Sequence, residues 1–167
     1  TVMRAGRPCK IALRIPTTPA AWNHVGVILL DTDIPENQQD FRMITRTLYG
    51  ERHATAFFDA DHRPWSDIDW MRVLQAAVLG IGAYQILQDL GITYRVAHLN
   101  DSHPVFFAQR LLGEILRERS CSIEDGLAEV ARRVVYTNHT LLASGNKTYP
   151  VDTVARVCGH YLGLDIE

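Results

Sequence analysis

Cysteine is scarce: Cys9, Cys121 and Cys158 are odd in number, far apart and in no C-x-x-C pair. That pattern excludes a disulfide framework and a structural zinc site of the usual spacing, and it fits a reducing cytosol, so a cytoplasmic location is expected. No apolar run approaches the roughly 18 residues that a membrane span needs, and no charged-then-apolar pattern opens the sequence. Runs of lysine or arginine are also missing, and 17 basic against 19 acidic residues leave a net charge of −2. Phosphate-backbone binding is thereby excluded as the main business, so the expected partners include neither nucleic acid nor membrane. The dinucleotide fingerprint G-x-G-x-x-G, the phosphate loop G-x-x-x-x-G-K-[ST] and the nucleophile elbow G-x-S-x-G are all absent. "GIGAYQ" (80–85) falls inside a predicted helix, where it cannot cradle a phosphate.

What remains is ordinary globular composition, 47% apolar and 22% charged over 167 residues. That is enough chain to bury one core, and a single α/β domain over 1–167 is the expectation. The ends read as a piece of something larger: Thr1-Val2-Met3-Arg4 opens as a strand before the turn Gly6-Arg7-Pro8, and "GLDIE" stops just after a helix.

Short β-branched runs at 9–15 and 24–32 read as strands joined by a loop with Pro16 and Pro19. Phe41, Ile44 and Leu48 recur at helical spacing from Gln38 until Gly50. Residues 51–66, with His53 and His62, have no period and read as a surface loop. Ser66 then caps a helix that runs to Leu90 and Gly91, its first turn carrying Asp67 and Asp69. Gly80 and Gly82 each cost that helix roughly 1 kcal/mol relative to alanine, which argues that they permit close packing. "TYRVAHL" (93–99) reads as a strand, Pro104 to about Arg119 as a helix, Ser122 to Arg133 as a helix capped by Ser122, and "VVYT" (134–137) as a buried strand. Val151–Tyr161 is the last predicted helix. Strands alternating with helices predict a Rossmann-like, mostly parallel sheet flanked by helices.

In such sheets ligands bind beyond the carboxyl ends of the strands. Two predicted strands end in polar clusters, Asn100-Asp101-Ser102-His103 and Thr137-Asn138-His139-Thr140. If the strands are near neighbours, Asp101, His103, Asn138 and His139 converge on one crevice, and the helix after His103 aims its N–H groups there. Plainer roles stand beside this one: Asp101 and Ser102 as caps, His98 as a packed residue, and His103 and His139 as structural histidines. His98-x-x-Asp101-x-His103 also reads as metal-ligand spacing for a small metal-dependent hydrolase.

"LNDSHP" (99–104) resembles the L-N-D-T-H-P signature of the α-glucan phosphorylases, and "VYTNHTLL" (135–142) resembles their Y-T-N-H-T segment. "LLDTDIPEN" (29–37), "ITRTLYG" (44–50) and "VLGIG" (78–82) are similar to stretches of the shorter bacterial and archaeal members, in the same order. The resemblance implies a two-domain glycosyltransferase fold of the GT-B type, of which this chain would be part of the N-terminal half. It implies transfer of the terminal glucosyl unit of an α-1,4-glucan to inorganic phosphate, giving glucose 1-phosphate. By the same resemblance His139 contacts the glucosyl unit in transfer, Asp101 and His103 line the acceptor side, and Asn100, Asn138 and Thr140 shape the pocket. Glucan, phosphate, the missing C-terminal half and a second copy in a homodimer are the partners it brings.

The departures matter too. After T-N-H-T the family carries P-E-A-L-E or P-V-P-A-G-H-D, whereas this chain reads "LLASGNKTYP" (141–150), with Ser144, Asn146 and Lys147 where carboxylates or a His-Asp pair belong. Gln75-Ala76 stands in place of a Gln-Glu. The family's cofactor, pyridoxal phosphate, is held through a lysine in the C-terminal half, and the two lysines here, Lys10 and Lys147, are in neither that half nor that motif. The chain alone is therefore expected to be inactive. The missing carboxylates also favour a rival reading, a non-catalytic glucan-binding or regulatory module on the same fold.

Overall fold

A computed structural model describes residues 2–4, 7–15, 26–46, 57–58, 64–65, 68–142, 146 and 148–160. Expectations for 16–25, 47–56, Ser66, Asp67, Ser144, Lys147 and the last residues fall outside them.

The first part of the chain is built of short antiparallel ladders. β1 (Val2–Arg4) pairs with β2 (Arg7–Cys9), and β3 (Ala12–Arg14) with β4 (Leu29–Asp31). After the short helix α1 (Gln39–Arg42), β5 (Phe57–Phe58) pairs with β6 (Pro64–Trp65), again antiparallel. The predicted mostly parallel sheet is therefore corrected for this region. A parallel pair needs a long crossover between its strands, and β1 to β4 follow one another before any helix intervenes. The predicted turn at Gly6-Arg7-Pro8 is corrected as well, since Arg7 and Pro8 lie in β2. Proline's missing N–H is tolerated there because a two-stranded ladder is all edge.

The centre is one long helix. α2 (Ile68–Ala77), a π-helical turn (Val78–Gly82) and α3 (Ala83–Asp89) run on without a break, the junction residues Ala77 and Ala83 staying in the right-handed helical region. The two glycines of the turn do what their cost implied. A Cβ on Gly80 would come 2.7 Å from the backbone nitrogen of Phe107 and 2.9 Å from the Cβ of Phe106, and one on Gly82 would meet Ile11 at 3.1 Å. Gly91 closes the helix at φ +63°, a conformation glycine adopts without penalty.

The rest alternates as expected. β7 (Ala97–Asn100), α4 (Val105–Arg119), α5 (Ile123–Arg133) and β8 (Val134–Thr137) form a parallel unit in which α4 and α5 together make the crossover. α4 stops at Ser120, which takes the left-handed conformation at φ 48°. Ser122 caps α5, its hydroxyl accepting from the Asp125 N–H at 3.2 Å, with Glu124 and Asp125 against the positive end of the dipole. α6 (Val151–Val154) continues as a second π-helical turn (Ala155–Gly159).

Two clusters fill the interior. One gathers Phe41, Ile44, Val73, Leu74, Ile81, Phe106 and Val157 around α2; the other gathers Tyr84, Leu99, Phe107, Leu111 and Ile115 between α3, α4 and β7. Burying one such Leu or Phe is worth about 1.5–3 kcal/mol, so the seam along Gly80, where Phe106 and Phe107 reach different clusters, ties both to α4. β8 departs from expectation: Val135 and Tyr136 are half exposed rather than buried.

Candidate functional site

In β7 and β8 the pairing Leu99↔Tyr136 and Asn100↔Thr137 brings both carboxyl ends level. The chain beyond each strand is then held to the other. The Asp101 N–H donates to the Thr137 carbonyl at 2.8 Å, extending the ladder by one bond. Asp101 itself sits at φ 59°, in the left-handed region that a non-glycine residue occupies at a cost of roughly 1–2 kcal/mol. That conformation turns its carboxylate across the strand ends, where Oδ1 accepts the His139 backbone N–H at 2.7 Å. Asn100 Oδ1 lies 2.7 Å from His139 Nε2. An amide oxygen only accepts, so Nε2 carries the proton and donates. His139 is thus gripped twice, at its backbone by Asp101 and at its ring by Asn100.

The remaining predicted residues have distinct duties. Asn138 is occupied within its own loop, Oδ1 accepting from the Thr140 N–H at 2.8 Å and Nδ2 donating to Asn146 Oδ1 at 3.1 Å. Asn146 in turn donates to the carbonyls of Thr140 and Leu142 and so closes an amide knot. His98 is exposed rather than packed, with Nε2 2.7 Å from Thr137 Oγ1, because strand alternation puts it on the face opposite the buried Leu99. Asp101 is no helix cap: its Oδ1 faces His139, and Pro104, the residue that opens α4, makes no side-chain cap.

His103, exposed at the head of α4, borders three hollows at once, of about 420, 660 and 340 Å³. The largest lies between α3, β7 and α4, and carries apolar walls with His98 and Asn100 at its side. The second lies between the heads of α4 and α6 beside β8. The smallest runs under β4. His139 lines none of the three, so the two histidines meet at the same end of the sheet but face different space. Sequence reasoning missed Tyr136, Tyr149 and Gln109, which line the second hollow. Only the alternation that puts Tyr136 on the side of Leu99 pointed to any of them.

At the end of β4, Asp31 accepts from Arg14, from the Asp33 N–H and from Thr45. Burial works to raise its pKa, but these bonds outweigh it and hold the carboxyl below its ordinary range. No three His, Cys, Asp or Glu side chains among the described residues gather as a metal site. Of the residues at metal-ligand spacing, His98 meets Thr137, Asp101 meets His139 and His103 borders the hollows.

Comparison with known proteins finds relatives over most of the chain. The chain is 30% identical to the maltodextrin phosphorylase of Thermococcus litoralis over 138 residues, 83% of this chain. It is 29% identical to the glycogen phosphorylase of Mycobacterium tuberculosis over 150 residues, 86% of this chain, and 31% identical to that of Aquifex aeolicus over 124 residues, 73% of this chain. These similarities support a fragment of the α-glucan phosphorylase family. The chain spans 15% of the length of each of these phosphorylases. No family model and no solved structure matches it. The described residues of this phosphorylase relative do not fit pyridoxal phosphate. An imine with the cofactor needs a lysine amine in a closed pocket, and Lys10 is exposed, its backbone tied to Asn37 by bonds of 2.9 and 2.7 Å.

Proposed function

We propose that this chain is the sugar-facing portion of an α-1,4-glucan phosphorylase of the GT-B type, drawn from its N-terminal half and working in the cytoplasm. The complete enzyme moves a terminal glucosyl unit from glucan to inorganic phosphate, and this portion supplies the wall that holds the sugar. One observation carries the reading: His139 is clamped by Asp101 and Asn100 across the ends of two adjacent parallel strands. Neutral sugars are held by prepositioned polar groups of this kind, and a group already fixed pays no ordering cost when the ligand arrives. Asp101 and Asn100 orient His139, Asn138 and Thr140 hold the following loop, His139 contacts the glucosyl unit, and His103 borders the acceptor side. Pyridoxal phosphate belongs to the rest of the protein, and no step of this chain runs through it.

The amide knot around Asn146 favours a second reading, a glucan-binding or regulatory module, since it fills with neutral amides the place where relatives carry charge. Calorimetric titration of maltoheptaose, together with an assay for glucose 1-phosphate, separates the two. The purified chain is expected to bind weakly and to make no glucose 1-phosphate. Supplying the complementary part of the protein raises affinity and restores turnover on the first reading, and raises neither on the second. Turnover by the chain alone, or maltoheptaose affinity unchanged in His139→Ala, overturns the proposal.

A further inference from the structure

β8 ends at Thr137, and the chain that follows carries His139 with no regular element to hold it. Packing does not hold it either. No residue of 138–142 is buried, and the two apolar side chains that might anchor the segment, Leu141 and Leu142, are 95% and 71% exposed. Its shape therefore rests on hydrogen bonds. Asp101 and Asn100 reach His139 itself from the ends of the strands. Asn146, further along the chain, reaches the residues around it. Its Oδ1 accepts from Asn138 Nδ2 at 3.1 Å, while its Nδ2 donates to the carbonyls of Thr140 at 3.1 Å and Leu142 at 3.3 Å.

These bonds bracket His139. Asn138 precedes it and Thr140 follows it, and Asn138 also accepts the Thr140 N–H at 2.8 Å, so both neighbours of His139 are tied to one side chain. The task calls for one acceptor and two donors on a single planar head. A primary amide carries that set, whereas a carboxylate has no donor at neutral pH and a hydroxyl has one. The ring of His139 stands 2.7 Å from Asn100 Oδ1, and such a bond weakens steeply once its angle opens, so a peptide free to turn on either side would release it. We propose that Asn146 is a positioning residue for His139. It acts on the sugar only through His139, by fixing Asn138 and Thr140 so that the imidazole arrives where Asn100 and Asp101 hold it. The effect on sugar binding rests on the glucan reading above; the hold on His139 does not.

The experiment compares the wild-type 167-residue chain with Asn146→Ala and Asn146→Asp, following hydrogen exchange of the His139 backbone amide by nuclear magnetic resonance and maltoheptaose binding by calorimetry. Asn146→Ala is expected to speed that exchange roughly three- to tenfold, as loss of an exposed hydrogen bond does, while the urea midpoint stays put because no buried residue is touched. Asn146→Asp has the same shape and keeps the bond from Asn138, but it sets an oxygen against two carbonyls and should exchange at least as fast as the alanine variant. Maltoheptaose affinity should fall by a similar factor in both. In Asp101→Ala/Asn146→Ala the loss should be smaller than the product of the single losses, because both residues act through His139. Unchanged His139 exchange in Asn146→Ala overturns the proposal, as do wild-type exchange in Asn146→Asp, faster exchange accompanied by a lower urea midpoint, and losses that multiply. His139→Ala separates the two claims. Faster exchange in Asn146→Ala, with maltoheptaose affinity indifferent to both substitutions, keeps the hold on His139 and sinks the glucan reading; affinity lost in His139→Ala but kept in Asn146→Ala does the reverse.

Discussion

Asp101 sets two energies against each other at one residue, and substitution can separate them. Its left-handed backbone costs a non-glycine residue roughly 1–2 kcal/mol, less for Asp than for most, while the 2.7 Å bond to the His139 N–H returns about 1–2 kcal/mol. Asp101→Asn keeps an acceptor and a side chain at home in that conformation, so it should lie within about 1 kcal/mol of the wild type. Asp101→Ala removes the bond and keeps the strain, a loss of about 2 kcal/mol. Asp101→Gly removes both. Glycine ordinarily destabilises relative to alanine by roughly 0.5–1 kcal/mol through its backbone entropy, but here relief of strain reverses the sign. The glycine variant should therefore be the more stable of the two by about 0.5–1 kcal/mol, or roughly 1–4 °C in melting temperature for a chain this long. Urea unfolding followed by far-ultraviolet circular dichroism measures the difference, and the amide exchange rate of His139 reports the lost bond. An alanine variant as stable as the glycine variant would refute the account of the turn.

Three further outcomes follow from the geometry. Gly80→Ala should destabilise by about 1–2 kcal/mol despite the helix propensity it gains, because its methyl meets the backbone of Phe107, whereas Gly126→Ala meets only the tips of Leu112 and Leu116 and should be close to neutral; paired thermal melts decide between them. Asp31 has a depressed pKa in the folded state, so its stabilising effect is present above the ordinary value of 3.8 and is lost as pH falls through the lower folded value. Acid unfolding of the wild type should thus steepen below about pH 4, and Asp31→Asn, less stable at neutral pH, should lose the difference there. Burial pushes the thiol of Cys9 up to about 11 and that of Cys158 up to about 12, so iodoacetamide at neutral pH should label Cys121 first and the other two only on unfolding, as mass spectrometry of the digest would show.

How much of this was legible in the sequence depended on whether the signal was local. Ser122 with Glu124 and Asp125 marks the start of α5 through capping chemistry alone, and the structure bears it out. Pro104 and Arg119 bracket α4 to within a residue. The strands ending at Asn100 and Thr137 announced themselves by apolar runs that stop at polar clusters, and their parallel pairing followed from the helices between them. Which face of a strand finds cover is a matter of the fold, however, and the β-branched pattern of 134–137 says nothing about it; Val135 and Tyr136 were misjudged for that reason. The π-helical turn at Val78–Gly82 was not read from the sequence, although Gly80 and Gly82 marked the place as one of close packing. The candidate site was legible as a set of residues but not as a geometry. Asn100 and Asp101 turned out to hold His139, whereas Tyr149 of the neighbouring hollow sits in a segment with no distinguishing pattern.

A side chain that borders three compartments cannot change its rotamer privately. Whenever the imidazole of His103 swings to admit an occupant on one side, the outline of the other two changes in the same movement. Were a molecule lodged in one of them to change the affinity of another, thermodynamic reciprocity would make the factor the same in both directions. Replacing this one residue therefore reshapes three hollows at once, and its effects need not add to those of changes elsewhere around it.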